Sequence, residues 1–319
     1  MAIPNTSYTE IISTTLDNYR SKLSDNVLNH NALLAKLKAN GNTDTAGGGA
    51  KLLENLMYDE NGTFKWYSGY ETLDVSGSDV LTSASFDWKQ ANCNVTMSGL
   101  EDLQNDGSQA VHNLVKARIT VAEKTMQNQI GASLFYANTE HSGKAIGGLQ
   151  HLVADLPTSG TVGGIDRSTN AWYRNQFYDF STESVTASAS TIQHAMNRTY
   201  LRCTRGKDTP DLIVAGETYF TYYEESLQAQ QRFMSETEAA GGFKGYKYKG
   251  AVVVYDENCA ATRMYLLNTD YIHFRPHARR NFVTLDRKSS VNQDATVVPL
   301  YWAGNMTISN ASLQGVIVA

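Results

Sequence analysis

Two histidines in the C-terminal part of the chain have a spacing that occurs in metal sites. His273 and His277 are four residues apart, which in a helix would let two imidazoles bind one ion. Pro276 lies between them, and the flanking run reads as an extended strand. The two rings therefore need not face the same way. A closed metal site would also need further ligands, so we expect no metal here.

Other signs of catalysis are weak. The sequence contains no Gly-x-Ser-x-Gly elbow, no His-Glu-x-x-His pair and no Cys-x-x-Cys pair. Cys203 lies near Arg202 and Arg205, which favour a thiolate, but no base can be assigned beside it. We therefore expect an ordinary thiol, no catalytic residue and no cofactor.

A glycine run occurs early in the chain at Gly47, Gly48 and Gly49. Its continuation lacks the Lys-Ser/Thr ending of a phosphate loop. We interpret these three glycines as a hinge, because glycine adopts conformations that other residues avoid.

Composition points to a surface that partners cover. Of the 319 residues, 18% are charged, against roughly 25% in an average soluble domain. Tyrosine (18) outnumbers phenylalanine (10), and interfaces lose lysine and glutamate while they gain aromatic residues. The net charge of −5 gives no overall basic field of the kind that nucleic-acid binders use.

The number of cysteines and the lack of long apolar runs indicate the cellular compartment in which the protein is made. Only three cysteines occur, and they predict synthesis in a reducing cytosol without a disulfide framework. No apolar run is long enough to span a bilayer, and the first residues lack the pattern of a signal peptide. We expect no membrane association.

An aromatic ribbon is the most unusual predicted element. Alternating residues between Thr63 and Met97 predict two long antiparallel strands that are joined by a polar turn at Ser76–Asp79. A two-stranded ribbon is marginal in water by itself, so we expect it to lie on a neighbouring subunit. The alternative is a hairpin that packs on its own domain. The residues predicted at this interface are Phe64, Lys65, Trp66, Tyr67, Tyr70, Phe86 and Trp88.

A long helix follows the ribbon. Apolar residues recur every three or four positions over residues 107–137, which predicts a helix of about 45 Å. Shorter elements surround it. Helices are expected near Leu16–Leu37, Thr191–Arg202 and Glu217–Arg232, and strands at Asp211–Ala215, Tyr246–Tyr255, Met264–Asn268, Tyr271–Arg275, Asn281–Leu285 and Val297–Ile308. The mixture lacks regular βαβ units and predicts an α+β fold.

A local basic patch lies between two of these strands. It comprises Arg275, Arg279, Arg280, Arg287 and Lys288. One interpretation is contact with phosphates or with an acidic neighbouring subunit. The other is a solvated surface, which is the usual fate of charge runs.

The order of these elements resembles the HK97-fold major capsid proteins of tailed bacteriophages. Local phrases are similar as well, at Gly163–Asn175, Pro210–Gly216, Met264–Tyr271 and Gly304–Asn310. None of them is a catalytic signature, and their joint order along nearly the whole chain carries the resemblance.

The resemblance implies four parts. Residues 1–45 would be the N-arm and 58–99 the E-loop ribbon. The P-domain would combine 46–57, 100–140 and 271–319, with the long helix as its spine, and a mixed A-domain would span 141–270.

The function that the resemblance implies is structural. The subunit would assemble through hexamers and pentamers into an icosahedral head that encloses double-stranded DNA by non-specific contact, in a virion built in the host bacterial cytoplasm. A separate scaffolding protein, a portal and a decoration protein are the expected partners. Two alternatives stay open: the shell of an encapsulin-type compartment, and a receptor-binding or adhesin module.

Overall fold

Helices and strands are mixed irregularly along the part of the chain that the computed structural model describes, which is residues 31–104, 114–228, 237–239, 243–285, 288–289 and 294–319. The helices are α1 (Ala32–Ala39), α2 (Gly99–Gln104), α3 (Leu114–Ser133), α4 (Glu140–Gly143), α5 (Leu149–Leu152), α6 (Ile192–Arg202) and α7 (Glu217–Gln228), with 3₁₀ turns at Ala171–Tyr173 and Thr269–Tyr271. No helix within these ranges is long and apolar enough to cross a membrane.

Sixteen strands are seen in the same ranges. They are β1 (Leu52–Met57), β2 (Leu81–Phe86), β3 (Lys89–Ser98), β4 (Thr161–Val162), β5 (Ile165–Asp166), β6 (Gln176–Asp179), β7 (Leu212–Ala215), β8 (Thr237–Ala239), β9 (Phe243–Tyr248), β10 (Ala251–Tyr255), β11 (Arg263–Leu267), β12 (Ile272–Pro276), β13 (Val283–Thr284), β14 (Lys288–Ser289), β15 (Ala295–Ile308) and β16 (Gly315–Val318).

A five-stranded antiparallel sheet is built around the long strand β15. Strand β3 pairs with it from Ser98 opposite Ala295 to Lys89 opposite Gly304. Strands β12, β13 and β14 pair with β15 as well. Helix α3 packs on β3 and β15 and buries Met126 and Ile130 in the main hydrophobic core. Its 20 residues make a rod of about 30 Å.

A seven-stranded mixed sheet forms the other half of the fold, in the order β6-β16-β11-β7-β10-β9-β8. All four residues of the central strand β7 are buried. Leu212 and Val214 face the main core, whereas Ile213 and Ala215 face a second core, as the two-residue period of a strand requires. Helices α6 and α7 cover this second face. Burial on both faces explains the unbroken apolar run.

Several elements agree with the sequence predictions. Helix α6, strand β7 and the start of α7 lie where the apolar pattern places them. The predicted strand Tyr246–Tyr255 is instead a hairpin of β9 and β10, because Lys249 and Gly250 both adopt positive φ and form a two-residue turn between paired strands.

The predicted long helix ends at Ser133, four residues early. Its predicted first residues, 107–113, lie outside the described residues, as do 16–30 and 229–232 of two other predicted helices.

The ribbon differs most from its prediction. The paired strands are β1 and β2, and residues 58–80 between them contain no regular strand. The period-two run around Phe64 and Trp66 is therefore a loop. The strand that was predicted to pair with it is β2, which begins at Leu81 and pairs with β1 instead. We call residues 58–80 the aromatic loop.

Candidate interaction surface

The hairpin of β1 and β2 carries the aromatic loop at its end. Its six residue pairs run from Leu52 opposite Phe86 to Met57 opposite Leu81. Along β1, Leu52 and Leu56 are buried, whereas the alternate residue Met57 is exposed. One face of the hairpin therefore packs on the main core, and the other face is open to solvent.

Hydrogen bonds give the aromatic loop a defined shape. At its neck, the Tyr58 backbone N–H donates to the Val80 carbonyl at 3.1 Å, and the Tyr58 hydroxyl donates to the Asp79 carbonyl at 2.7 Å. Further along, the Asn61 side-chain oxygen accepts from the hydroxyls of Thr63 and Ser78, each at 2.8 Å. The two arms of the loop are thus tied together near their base.

The aromatic rings of this loop point into solvent. Trp66 is 88% exposed and Phe64 74% exposed, and the two rings lie edge to face with their centroids 5.6 Å apart. Tyr67 and Tyr70 are exposed as well. Lys65, which lies between Phe64 and Trp66 in the sequence, donates to the Thr72 carbonyl at 2.7 Å. Contiguous exposed rings on a hydrogen-bonded loop are typical of a protein-binding surface.

Phe86 and Trp88 do not belong to this exposed set. Phe86 is 6% exposed and lies in the main core. Trp88 is half-buried against the same core, donates to the Gly49 carbonyl at 2.9 Å and contacts the His277 ring. The sequence analysis predicts both residues at a subunit interface because they continue the alternating pattern of the ribbon. At the base of the hairpin, however, the side chains on this face pack on the core of the same chain.

A buried ion pair fixes the base of the hairpin to the five-stranded sheet. Glu54, on β1, is 7% exposed. Its Oε1 lies 2.8 Å from Nε of Arg275 on β12, and its Oε2 accepts from Nη2 of the same guanidinium at 3.1 Å. Thr307 on β15 donates to Oε1 at 2.7 Å. A carboxylate desolvated in this way is held by charge and hydrogen bonds together.

A glycine turn makes a second anchor. The Ser85 backbone N–H donates to the Gly163 carbonyl at 2.8 Å. A Cβ at Gly163 would lie 2.8 Å from the Cβ of Ala84 and 3.0 Å from the Phe86 ring, so the hairpin backbone approaches this turn at a distance that only glycine allows.

The neck of the aromatic loop reaches the same region of the fold. The Tyr58 and Trp172 rings are 5.6 Å apart. The loop therefore rises from a base that is anchored on two sides.

The predicted basic patch is not a single cluster of free cations. Arg275 is committed to Glu54, so it is removed from the set that phosphates could reach. Arg279 and Arg280 are exposed, and Arg280 lies over the Tyr301 ring at 5.2 Å. Lys288 is exposed, and Arg287 lies outside the described residues.

The glycine run links an anchored segment to the hairpin. Ala46 is held on both sides, because its N–H donates to the Pro276 carbonyl and its carbonyl accepts from the Ala278 N–H. Gly48 and Gly49 follow with φ of 133° and 115°, and nothing lies within 4 Å of a Cβ at Gly48.

Burial shifts the pKa of two of the candidate chemical groups, Cys203 and His273. It raises the pKa of the Cys203 thiol to about 12, and the nearby Arg202 opposes this only in part. Burial lowers the pKa of His273. His277 accepts from the Arg279 backbone N–H at 3.0 Å. Among the described residues, no three His, Cys, Asp or Glu side chains lie together as metal ligands.

Comparison with known proteins gives a result at the level of structure. No protein-family model matches the sequence, and no curated protein sequence matches it. A subunit of the cyanophage A-1(L) capsid superimposes with a TM-score of 0.70 at 16% identity, covering 99% of both chains. The capsid subunit of the native GTA particle gives 0.63 at 12% identity, covering 95% of both.

A shell protein that is not from a phage has the same architecture. The subunit of the SrpI encapsulin complex from Synechococcus elongatus PCC 7942 gives a TM-score of 0.60 at 7% identity, covering 93% of this chain and 91% of that one. The chain therefore has the α+β fold of capsid and encapsulin shell subunits. This confirms the HK97-like fold that the sequence predicts.

Proposed function

We propose that this chain is the major capsid protein of a tailed bacteriophage. The observation that supports this most directly is the aromatic loop: exposed rings such as Trp66 and Tyr70 on a hydrogen-bonded loop with a doubly anchored base, in a fold that phage capsid subunits share. A lone subunit gains nothing by holding apolar rings in water. A shell subunit gains a contact on its neighbour.

Assembly follows from an interface between unlike patches. When the loop of one copy lies on a different surface of the next copy, the contact is head-to-tail. If the rotation that relates neighbouring subunits brings the last copy back to the first, the contacts form a closed ring. Hexamers and pentamers of this kind build an icosahedral shell. The hinge at Gly47–Gly49 lets the hairpin change angle between the two ring types.

Domain roles follow the same proposal. Residues 1–45 act as the N-arm and 58–99 as the E-loop. Residues 46–57, 100–140 and 271–319 form the P-domain, and 141–270 form the A-domain. The five-stranded sheet with α3 falls mainly in the P-domain, and the seven-stranded sheet falls mainly in the A-domain.

Partners are proposed on the same basis. The subunit works by geometry and not by catalysis, binds further copies of itself and surrounds packaged double-stranded DNA in the virion after assembly in the bacterial cytoplasm. A separate scaffolding protein and a portal complete the head. In the phage G structure, which superimposes with a TM-score of 0.50 at 8% identity, major capsid proteins occur with decoration proteins. A decoration protein is therefore a further proposed partner.

An encapsulin-type shell is the second candidate, since the SrpI complex has the same fold. The content of the particles separates the two. We would express the chain with its neighbouring genes, purify particles, and analyse them by nuclease digestion and mass spectrometry. Nuclease-protected double-stranded DNA supports the phage head. A single folded cargo enzyme in place of DNA would contradict it and favour the compartment.

A further inference from the structure

We propose that an arginine-lined pocket beside the neck of the aromatic loop receives the acidic aromatic loop of a second copy of this chain. This inference rests on the proposed shell function and names the surface that its interface would use. We call it the arginine pocket. It is defined by Arg174, Arg202 and Arg205, with Trp172 at its side.

The arginine pocket is a real concavity with an unbalanced charge. Its volume is about 380 Å³, and it lies between the 3₁₀ turn Ala171–Tyr173, strand β6 and the end of helix α6. Three arginines line it, and none of the described residues that line it is an aspartate or a glutamate. A cluster of cations without carboxylates attracts an anion from outside.

Neutral groups hold Arg174 and Arg202 in place. Arg174 donates from Nη2 to the Ser168 carbonyl at 2.6 Å and from Nε to the Arg167 carbonyl. Arg202 donates from Nη1 to the Phe177 carbonyl at 3.1 Å. Carbonyl oxygens fix the orientation of a guanidinium without cancelling its charge. The site is therefore preorganised for a charged partner.

Arg205 is the most available of the three. Its side chain is exposed and makes no hydrogen bond or ion pair with other residues in the described part of the chain. The carboxylate of the nearby Asp208 accepts from the Tyr271 hydroxyl at 2.8 Å.

The aromatic loop has the complementary charge. Residues 58–80 contain five acidic side chains and one basic side chain, which gives a net charge of −4. The single lysine, Lys65, already lies 3.6 Å from Glu71. The four other carboxylates, Asp59, Glu60, Asp74 and Asp79, form no ion pair with the described residues. A loop that is aromatic and acidic suits a pocket that offers guanidinium groups and an indole ring.

Chain reach allows this contact between copies. The pocket lies beside the neck of the same chain's loop, through the contact of Trp172 with Tyr58. A 23-residue loop that doubles back extends at most about 36 Å from its neck. In a head-to-tail ring, the loop of each subunit would start beside that subunit's own pocket and bind in the pocket of the neighbouring subunit. Every pocket would then hold one loop.

Charge reversal and its rescue test the pairing. We would compare wild type with Arg202→Glu/Arg205→Glu, with Glu60→Lys/Asp74→Lys/Asp79→Lys, and with the two sets combined. Lys38→Glu/Lys247→Glu is the matched control, because it reverses two exposed cations and changes the net charge by the same amount. The measurement is the fraction of chain in shells by sedimentation, with circular dichroism melting of the unassembled chain as the check on folding.

We expect the fraction of chain in shells to fall at least about tenfold in the variant with the reversed arginines and in the variant with the reversed carboxylates. The combined set recovers to within about threefold of wild type, and the control assembles normally. Normal shells from Arg202→Glu/Arg205→Glu, or an equal loss in the control, would overturn the pairing. Shells that assemble normally from that variant but retain less DNA would assign the pocket to phosphates instead. Wild type that forms no shells in any co-expression would count against the proposed function itself.

Discussion

Glu54 and Arg275 form a buried two-point ion pair between the hairpin and the five-stranded sheet. Nε–Oε1 is 2.8 Å and Nη2–Oε2 is 3.1 Å, and the Glu54 side chain is only 8% exposed. The residues are 221 positions apart in sequence, so the pair forms only when the hairpin lies on β12. It therefore sets the direction in which the aromatic loop leaves the body of the subunit.

Removal of one member of this pair is predicted to be costly. Glu54→Ala leaves the Arg275 guanidinium partly buried without a counter-charge, and we expect the free energy of unfolding to fall by about 3 kcal/mol. Denaturant unfolding of the unassembled chain measures this. Glu54→Leu/Arg275→Met removes both charges and is expected to lose less than Glu54→Ala alone. A double variant that is the less stable of the two would contradict this account of the pair.

Gly163 is predicted to be a point of close approach rather than only a turn residue. Gly163→Ala should lower the free energy of unfolding by about 2–3 kcal/mol, because it combines strain at a φ of +59° with a clash against Ala84.

Gly160→Ala isolates the strain. Its φ is +88° and nothing lies within 4 Å of a Cβ, so it should lose only about 1 kcal/mol. Equal losses in the two variants would show that the hairpin does not press on Gly163.

Exposed and buried aromatics of the hairpin are predicted to behave in opposite ways. Trp66→Ala should leave the melting temperature unchanged within error and should abolish shells, because an 88% exposed ring contributes to partners and not to the core. Phe86→Ala should instead lower the free energy of unfolding by about 3–5 kcal/mol. Calorimetry and electron microscopy of both variants check this. Normal shell yield from folded Trp66→Ala would remove the loop from the interface.

Acid is predicted to destabilise the subunit through His151. Burial, followed by Arg167 and then Lys89, lowers the pKa of this imidazole to about 4 from its ordinary 6.5. Between pH 6.5 and about 4, the unfolded chain binds one more proton at this site than the folded chain. Stability is therefore full above pH 6.5 and falls as the pH drops through that window, by up to about 1.4 kcal/mol per pH unit from this group.

His151→Gln provides the comparison for that pH dependence. Denaturant unfolding of both chains between pH 4 and 7 should show a flatter curve for the variant. The remaining slope is assigned in part to His273, whose pKa burial also lowers. Parallel curves for the two chains would show that His151 is not the group responsible.

Local sequence patterns were sufficient to predict the helices and strands whose apolar residues follow one clear pattern. Helix α6 repeats apolar residues at helical spacing, and β7 is a continuous apolar run. Both were predicted within about one residue, because tertiary packing only reinforces what the local sequence prefers.

The interaction surface was harder to predict, because the residues that hold it in place are far apart in the sequence. The aromatic alternation around Phe64 and Trp66 imitates a strand, but none of the strands in the described part of the chain pairs with these residues. Glu54 carried one signal that could have been used, since it shares the inward face of β1 with Leu52 and Leu56. A carboxylate on an apolar face requires a buried cation. Which cation this would be was not encoded locally, because Arg275 and Thr307 come from strands more than 200 residues away.

The most direct test of the central claim is the size of the particles that the chain forms. We would express the full chain alone and with its neighbouring genes, then examine the soluble fraction by light scattering and electron microscopy. We expect hexamers and pentamers that convert into closed shells tens of nanometres across, and no shells from Trp66→Ala. A stable monomer or trimer in every co-expression, with the wild-type aromatic loop intact, would contradict it.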